Sequence, residues 1–267
     1  MLIVKIGGGA GINWDAIAKD LGELSEPCVV VHGANALMKA VSLKMGVTER
    51  IILSPSGHTS RYTDPQALDL LTMVYAGLAN KRIVAILGRH GIPAVGLSGA
   101  DGRLFLGKRK EIILSVEGAK VKMIRDSATG TVESVNVSLL RLLLDAGYLP
   151  VLTVPGITDK GELINVDTDR VVAVLARELG AKRVVMLFEA SGLLQDPNQE
   201  DSRCPTLNKQ ELEIFLGQAQ GRMKKKLLAV QEALSFGVQE IFMGDGRTEQ
   251  PITRSLQGEG TVIRSDA

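Results

Sequence analysis

Short runs rich in valine and isoleucine alternate with longer helical patterns along the chain, and this alternation constrains the fold more than any other feature. The predicted strands are 2–6, 28–32, 94–97, 148–154, 183–188 and 240–243. The predicted helices, with apolar residues three and four positions apart, are 13–24, 65–90, 138–147, 168–179, 208–220 and 223–236. We therefore predict an α/β fold with a mostly parallel central sheet sandwiched by helices.

Residues 103–135 depart from this alternation. In two runs, 112–116 and 121–124, apolar and polar residues alternate, and Glu117 and Gly118 lie between them. This pattern predicts a β-hairpin excursion, which we expect to cover or line a substrate site.

No Pro/Ser-rich linker divides the chain into independent domains. We place the boundary between two lobes near Pro155 and Gly156. The expected organisation is an N-terminal lobe 1–155 and a C-terminal lobe 156–267 that share one continuous sheet.

Composition and charge exclude several function classes. Lys plus Arg number 31 against 30 Asp plus Glu, and aromatic residues are 3% of the chain, which argues against nucleic-acid binding by bulk charge or by base stacking. No apolar run approaches the roughly 18 residues of a membrane span. Cys28 and Cys204 lie far apart without metal-ligand spacing, and Met1 to Ile6 has the pattern of a strand rather than a signal peptide. We expect a cytoplasmic protein without a metal site of its own.

The first candidate site follows the first strand, where Lys5 precedes Gly7, Gly8 and Gly9. Glycine lets a backbone approach a phosphate closely, and the helix that follows adds free amides and a positive dipole end. The loop lacks the order of a Walker sequence, so a plain tight turn is the alternative.

A second strand ends in His32, Gly33 and Ala34. If the two strands are parallel neighbours, both small-residue loops lie at the carboxyl edge of the sheet, where α/β proteins bind ligands. An ordinary strand-to-helix turn is the alternative for this loop taken alone.

Two polar clusters occur at predicted helix starts. The first cluster is Asn165, Asp167 and Asp169. A helix cap requires only one such residue, so capping does not account for all three. We therefore expect one of the carboxylates to organise cations in a site. A basic run that ends at Lys226 stands where the helix dipole disfavours cations. A solvated charged face is the alternative, but a bound phosphate would also account for these lysines.

In order along the chain, these motifs resemble the amino acid kinase superfamily and, within it, the acetylglutamate kinase group. The matching segments cover nearly the whole chain and are 4–8, 31–33, 60–64, 80–81, 96–102, 165–169, Met223 with Lys226, and 258–261. Segments 60–64, 96–102 and the basic 107–110 are most similar to the aminoadipate kinases of lysine biosynthesis. Members of that branch act on 2-aminoadipate attached to a small acidic carrier protein.

The resemblance implies an ATP-dependent kinase that makes an acyl phosphate, with Mg²⁺ held mainly by ATP oxygens and water. It implies that Lys5 and Lys226 stabilise the transferred phosphoryl group while Asp169 holds both lysines. Arg61 and Asn165 would grip the acylated amino acid, and Gly33 and Ala34 would line its path. Gly7, Gly8 and Gly9 would bind nucleotide phosphates. A homodimer and a carrier-protein partner are also implied.

Several positions depart from the family pattern. Ala34 replaces a glycine, Arg170 follows Asp169 in place of glutamine, and Phe188 with Glu189 replaces a Ser/Thr and Asn/Asp pair. Two alternatives therefore stay open: an acetylglutamate kinase of arginine synthesis, and a kinase-fold sensor that binds a metabolite without turnover.

Overall fold

The structure is a computed structural model that describes residues 1–265 except 56, 58, 119, 197, 198 and 220, and only the backbone of residue 222. The predicted helix end at Gln220 lies outside the described residues. The strands are β1 (Leu2–Ile6), β2 (Cys28–His32), β3 (Ile51–Leu53), β4 (Thr59–Arg61), β5 (Ala94–Ser98), β6 (Phe105–Arg109), β7 (Ile113–Glu117), β8 (Lys120–Ile124), β9 (Gly130–Val135), β10 (Leu149–Thr153), β11 (Gly156–Ile157), β12 (Leu163–Ile164), β13 (Arg183–Phe188), β14 (Thr206–Leu207), β15 (Glu240–Asp245) and β16 (Thr261–Arg264).

Helices fill most of the connections between the strands of the main sheet. They are α1 (Trp14–Glu23), α2 (Asn35–Lys44), α3 (Pro65–Thr72), α4 (Asn80–Arg89), α5 (Val137–Asp145), α6 (Thr168–Leu179), α7 (Lys209–Gln218), α8 (Gly221–Ser235) and α9 (Pro251–Leu256). A π-helical segment, Met73–Ala79, joins α3 to α4. The predicted strands and helices are all present with small shifts at their ends, whereas α2 and α9 were not predicted.

The central sheet has eight strands in the order β14-β16-β15-β13-β1-β2-β10-β5. Its pairings are parallel except that of β15 with β16. Strands from 1–155 and from 156–267 meet where β1 pairs with β13. The sheet and its helices confirm the predicted α/β fold.

Alternate residues of β1 pack into two hydrophobic cores, one on each face of the sheet. Ile3 packs in the core that contains residues of α6 and α8. Leu2, Val4 and Ile6 pack in the other core, with residues of α1 and α4. Because successive side chains of a strand point to opposite faces, one five-residue strand supports both helix layers.

The excursion predicted at 103–135 is present and has two parts. β7 and β8 pair as an antiparallel hairpin, which confirms the hairpin. β6 instead pairs with β9 in a four-stranded sheet of order β12-β11-β6-β9. Lys108 and Arg109 therefore lie on that sheet and not on the hairpin.

The helix Pro65–Arg89 is long and apolar enough to cross a membrane by length and composition, although no such segment was expected. Leu70, Leu71, Val74 and Leu87 are nonetheless buried in the two cores. A helix that packs its apolar face on a sheet can also meet this criterion of length and composition. The buried face of Pro65–Arg89 indicates a helix of this kind.

Candidate active site

Two lysines and one aspartate converge at the carboxyl edge of β1. Lys5 points from β1 with 5% of its surface exposed, and its Nζ lies 2.8 Å from Oδ1 of Asp169, in the first turn of α6. Nζ of Lys226, on α8, lies 3.3 Å from Oδ1 and 3.4 Å from Oδ2 of the same carboxylate. The structure thus brings together the three residues predicted to be catalytic.

This cluster carries a net positive charge inside the protein. Burial by itself would raise the pKa of Asp169, but Lys226 and Lys5 outweigh it and hold the pKa of this carboxyl well below its usual range. Burial lowers the pKa of Lys226, Lys5 adds to that effect, and Asp169 opposes it. An anion placed against the two ammonium groups would relieve their repulsion, so the cluster suits a phosphoryl group.

The three polar residues at the start of α6 have separate tasks. Asp167 caps the helix, because its carboxylate accepts the amide of Asp169 at 2.9 Å. Asn165 donates from Nδ2 to Oγ1 of Thr63 at 2.9 Å. Asp169 is left to bind the lysines, as the sequence predicted for one carboxylate of this group.

The two glycine loops meet because β1 and β2 are parallel neighbours in register, with Ile6 opposite His32. A Cβ on Gly8 would lie 2.4 Å from the amide nitrogen of Asn35 and 2.5 Å from that of Ala34. Only glycine fits this crossing. Ala34 is buried, and α2 starts at the next residue, so the methyl group that departs from the family pattern stands at a helix start beside Gly8.

The side chain of Glu189 lies on the first glycine loop. Its Oε1 accepts the amide of Gly11 at 2.5 Å, and a Cβ on Gly9 would collide with the carboxylate. The sequence singled out Glu189 only as a departure from the family pattern. Gly11 is 178 residues away from Glu189 in sequence, so no local signal could have shown this contact.

A buried polar network braces the second loop. Asn80 donates from Nδ2 to Nε2 of His32, at 3.1 Å, and to the carbonyl of Val151, at 3.0 Å. The Nδ1 proton of His32 therefore faces the carbonyl of Gly33, 3.2 Å away. Burial lowers the pKa of His32 to about 4, so the ring is neutral at pH 7. Gly96 has no room for a Cβ beside Asn80.

Arg61 and Asn165, predicted to bind substrate, are linked through Thr63. The hydroxyl of Thr63 accepts from Asn165 and donates to the carbonyl of Arg61 at 3.2 Å. A terminal nitrogen of Arg61 pairs with Glu49 at 2.9 Å. Within the described part of the chain, Nε of Arg61 is buried without a hydrogen-bond partner, so a donor remains at this position.

Tyr75, which the sequence did not single out, connects Arg61 to the second loop. Its buried hydroxyl donates to Oδ1 of Asn35 at 2.8 Å. Burial raises the pKa of Tyr75, while the charges of Arg61 and Lys5 and the backbone of Ala34 oppose that rise. The charges of Arg61, predicted to bind substrate, and of Lys5, predicted to be catalytic, thus both act on this phenol.

The aspartate at this edge of the sheet is engaged by the two lysines. Both carboxylate oxygens of Asp169 already face ammonium groups. Among the described residues, no group of three or more His, Cys, Asp or Glu is placed to hold a metal ion.

The fold and this lysine and aspartate site define an amino acid kinase: the sequence profile of the amino acid kinase family matches residues 1–245, and the chain belongs to that family. It is 45% identical, over 99% of its length and 100% of the relative's, to a [LysW]-aminoadipate kinase of Thermus thermophilus. A [LysW]-aminoadipate kinase of Deinococcus radiodurans is 46% identical over 98% of this chain and 91% of that protein.

Among solved structures, the fold is similar to that of an N-acetylglutamate synthase from Neisseria gonorrhoeae complexed with coenzyme A and N-acetyl-glutamate. The TM-score is 0.80 at 23% identity, and the match covers 100% of this chain and 59% of that chain. At this identity the likeness concerns the fold alone. The family, the fold class and the kinase class predicted from the sequence are confirmed, and the relatives favour the lysine branch over acetylglutamate kinase.

Proposed function

We propose that this kinase transfers the γ-phosphoryl group of ATP to the side-chain carboxylate of 2-aminoadipate, whose amino group is attached to the carrier protein LysW. The observation that carries the proposal is the pair of buried lysines on Asp169 beside the two glycine loops. The names of the 45% and 46% identical relatives supply the acceptor.

In this reaction a carboxylate oxygen forms a bond to the γ-phosphorus as the bond from that phosphorus to the β,γ-bridging oxygen breaks. ADP and an acyl phosphate result, and no proton needs to be removed from the attacking group. Catalysis then depends on alignment and on the neutralisation of charge. Lys5 and Lys226 supply that charge, and Asp169 fixes where each ammonium group points.

The two halves of the chain would divide the substrates between them. We place the amino acid on the 1–155 side, where Arg61, with Asn165 from the other side, grips it and where Gly33 and Ala34 line its path. The nucleotide would bind over 156–267, with its phosphates on Gly7, Gly8 and Gly9. Support comes from the central sheet, since the strands of the two halves meet at β1 and β13.

Mg²⁺ would reach the site on ATP oxygens and water, because Asp169 is engaged by the lysines. Its contribution is to neutralise phosphate charge. Gly8 lets the two small-residue loops cross closely, because a Cβ there would lie 2.4 Å from the amide nitrogen of Asn35.

The proposal also includes an acidic carrier protein as partner, a homodimer of this chain and a cytoplasmic location. An acidic carrier suits the basic residues of the excursion, of which Lys110, Lys120 and Arg125 are exposed. A homodimer is supported by Met73 and Leu43, large apolar side chains exposed on neighbouring helical segments. A cytoplasmic location fits the two free, buried cysteines.

ATP-dependent formation of an acyl hydroxamate tests the function. Hydroxylamine traps the acyl phosphate, and three acceptors are compared: LysW-linked 2-aminoadipate, N-acetyl-2-aminoadipate and N-acetylglutamate. We expect the carrier-linked acceptor to react with the largest kcat/KM. Preference for N-acetylglutamate would indicate the arginine-pathway enzyme, and binding of an acceptor without hydroxamate would indicate a sensor; either result contradicts the proposal.

A further inference from the structure

Phe188 is an aromatic residue at the edge of the lysine cluster. It ends β13, beside β1, and its backbone adjoins Gly7, whose Cβ would come 3.5 Å from that of Phe188. The centre of its ring lies 5.4 Å from Nζ of Lys226, within the distance of a cation–π contact. Phe188 therefore adjoins the glycine loop through its backbone and the second lysine through its ring.

Asp169 restrains the ammonium group of Lys226 less tightly than that of Lys5. Lys5 is held at 2.8 Å by Asp169, whereas Nζ of Lys226 lies 3.3 and 3.4 Å from the two oxygens of that carboxylate. The side chain of Lys226, on α8, is also 15% exposed, whereas that of Lys5, on the buried strand β1, is 6% exposed. The carboxylate alone is thus a looser restraint for Lys226 than for Lys5.

We propose that Phe188 is a positioning residue for Lys226, holding its ammonium group towards the transferred phosphoryl through the face of the ring. The proposal rests on the proposed function. An aromatic face attracts a cation, so the ring restrains Nζ of Lys226 in addition to the carboxylate. Charge that is fixed before the reaction stabilises the transition state better than charge that must first reorient.

Phe188→Leu tests this role, because leucine keeps an apolar side chain and removes the aromatic face. We expect kcat to fall about tenfold, the order of effect of one desolvated cation–π contact, with KM for ATP and acceptor changed less than twofold. Phe188→Tyr keeps the ring and should restore kcat to within twofold. Unchanged kcat in the leucine variant would overturn the proposal, as would failure of tyrosine to restore it.

Phe236 provides a matched control. The guanidinium carbon of Arg177 lies 4.9 Å from the centre of its ring. Like Phe188, Phe236 is partly buried against the first hydrophobic core. Phe236→Leu loses the same atoms and the same kind of contact away from the lysine cluster, so it should keep wild-type kcat. An equal loss in both variants would mean that Phe188 acts through packing alone.

The Lys226→Met background separates positioning from other effects. If the ring acts only through Lys226, Phe188→Leu should add no further loss there. A full tenfold loss in that background would overturn the proposal. The wild type distinguishes the two levels of inference: an inactive wild type contradicts the proposed function, whereas an active wild type with an indifferent Phe188 contradicts this inference alone.

Discussion

At the scale of single residues, the site depends on two side chains whose charge is fixed by their surroundings, Asp169 by two lysines and His32 by burial. Asp169 stays ionised because two lysines face it, and His32 stays neutral because it is buried next to Asn80. Asp169 organises the two lysines. His32 supports the loop of Gly33 and Ala34, which is proposed to line the path of the acceptor. Neither task requires a change of protonation during the reaction.

The neutrality of His32 has a consequence for stability. Between its ordinary pKa of 6.5 and its folded-state pKa of about 4, the unfolded chain binds a proton that the folded chain does not. The free energy of unfolding should therefore decrease as pH falls through that window, by about 3 kcal/mol from this residue. Below about pH 4 the folded state is protonated too, and this contribution stops changing.

Urea unfolding at pH 7 and pH 4.5 measures this effect in the wild type and in His32→Gln. Glutamine retains an acceptor for Asn80 but does not titrate, so its loss of stability over the same pH interval should be smaller. NMR titration of His32 gives the folded-state pKa directly. A midpoint near 6.5, or equal pH dependence of the two proteins, would refute the assignment.

At the scale of elements, local sequence predicted those helices that carry their own capping and apolar pattern. Asp64 caps α3, whose first residue is Pro65, and Asp167 caps α6. The two helices that sequence reasoning missed lack such signals. Ala34 precedes α2 without a capping side chain, and α9 receives its cap from Asp20, 232 residues from Ile252.

The same distinction applies to the site. Lys5, Gly8 and Asp169 stand at strand or helix ends that the sequence marks, so their convergence followed from parallel pairing of strands and the family resemblance. The contacts of Tyr75 with Asn35 and of Glu189 with Gly11 join segments 40 and 178 residues apart. Such contacts depend on tertiary packing, for which no local pattern exists.

The excursion gives a prediction at this scale. Residues 103–125 hold seven Lys/Arg against two Glu, but Lys108 pairs with Glu133, and Arg109 donates to the backbone carbonyl of Ser127. Lys110, Lys120 and Arg125 are therefore the better choices for charge reversal. Changing these three to Glu should lower kcat/KM for carrier-linked substrate, mainly at low ionic strength, because exposed charges attract an acidic partner over long range.

Turnover of N-acetyl-2-aminoadipate should stay near the wild-type value in this variant. Reversing three exposed lysines elsewhere, Lys19, Lys44 and Lys209, controls for the change in net charge and should have a smaller effect. An equal loss on both substrates would mean that the excursion shapes the active site. No loss on either would leave it as a solvated ribbon whose lysines discourage edge pairing.

At the scale of the whole molecule, the sheet explains why the site lies where it does. The sheet order places β1 between β13 and β2, so Lys5 stands where the two halves of the chain meet. α6 and α8 lie on one face and bring Asp169 and Lys226 to the same edge. Phosphoryl transfer between substrates held by the two halves would then take place over the lysine pair.

The most direct test of this account is the rate of acyl phosphate formation by Asp169→Asn, followed by ³¹P NMR with ATP and LysW-linked 2-aminoadipate. Asp167 caps α6, so the substitution leaves the cap intact and removes only the charge that holds the lysines. The account predicts a folded variant whose rate falls on the order of 10² to 10³. A folded variant that forms acyl phosphate at close to the wild-type rate would contradict it.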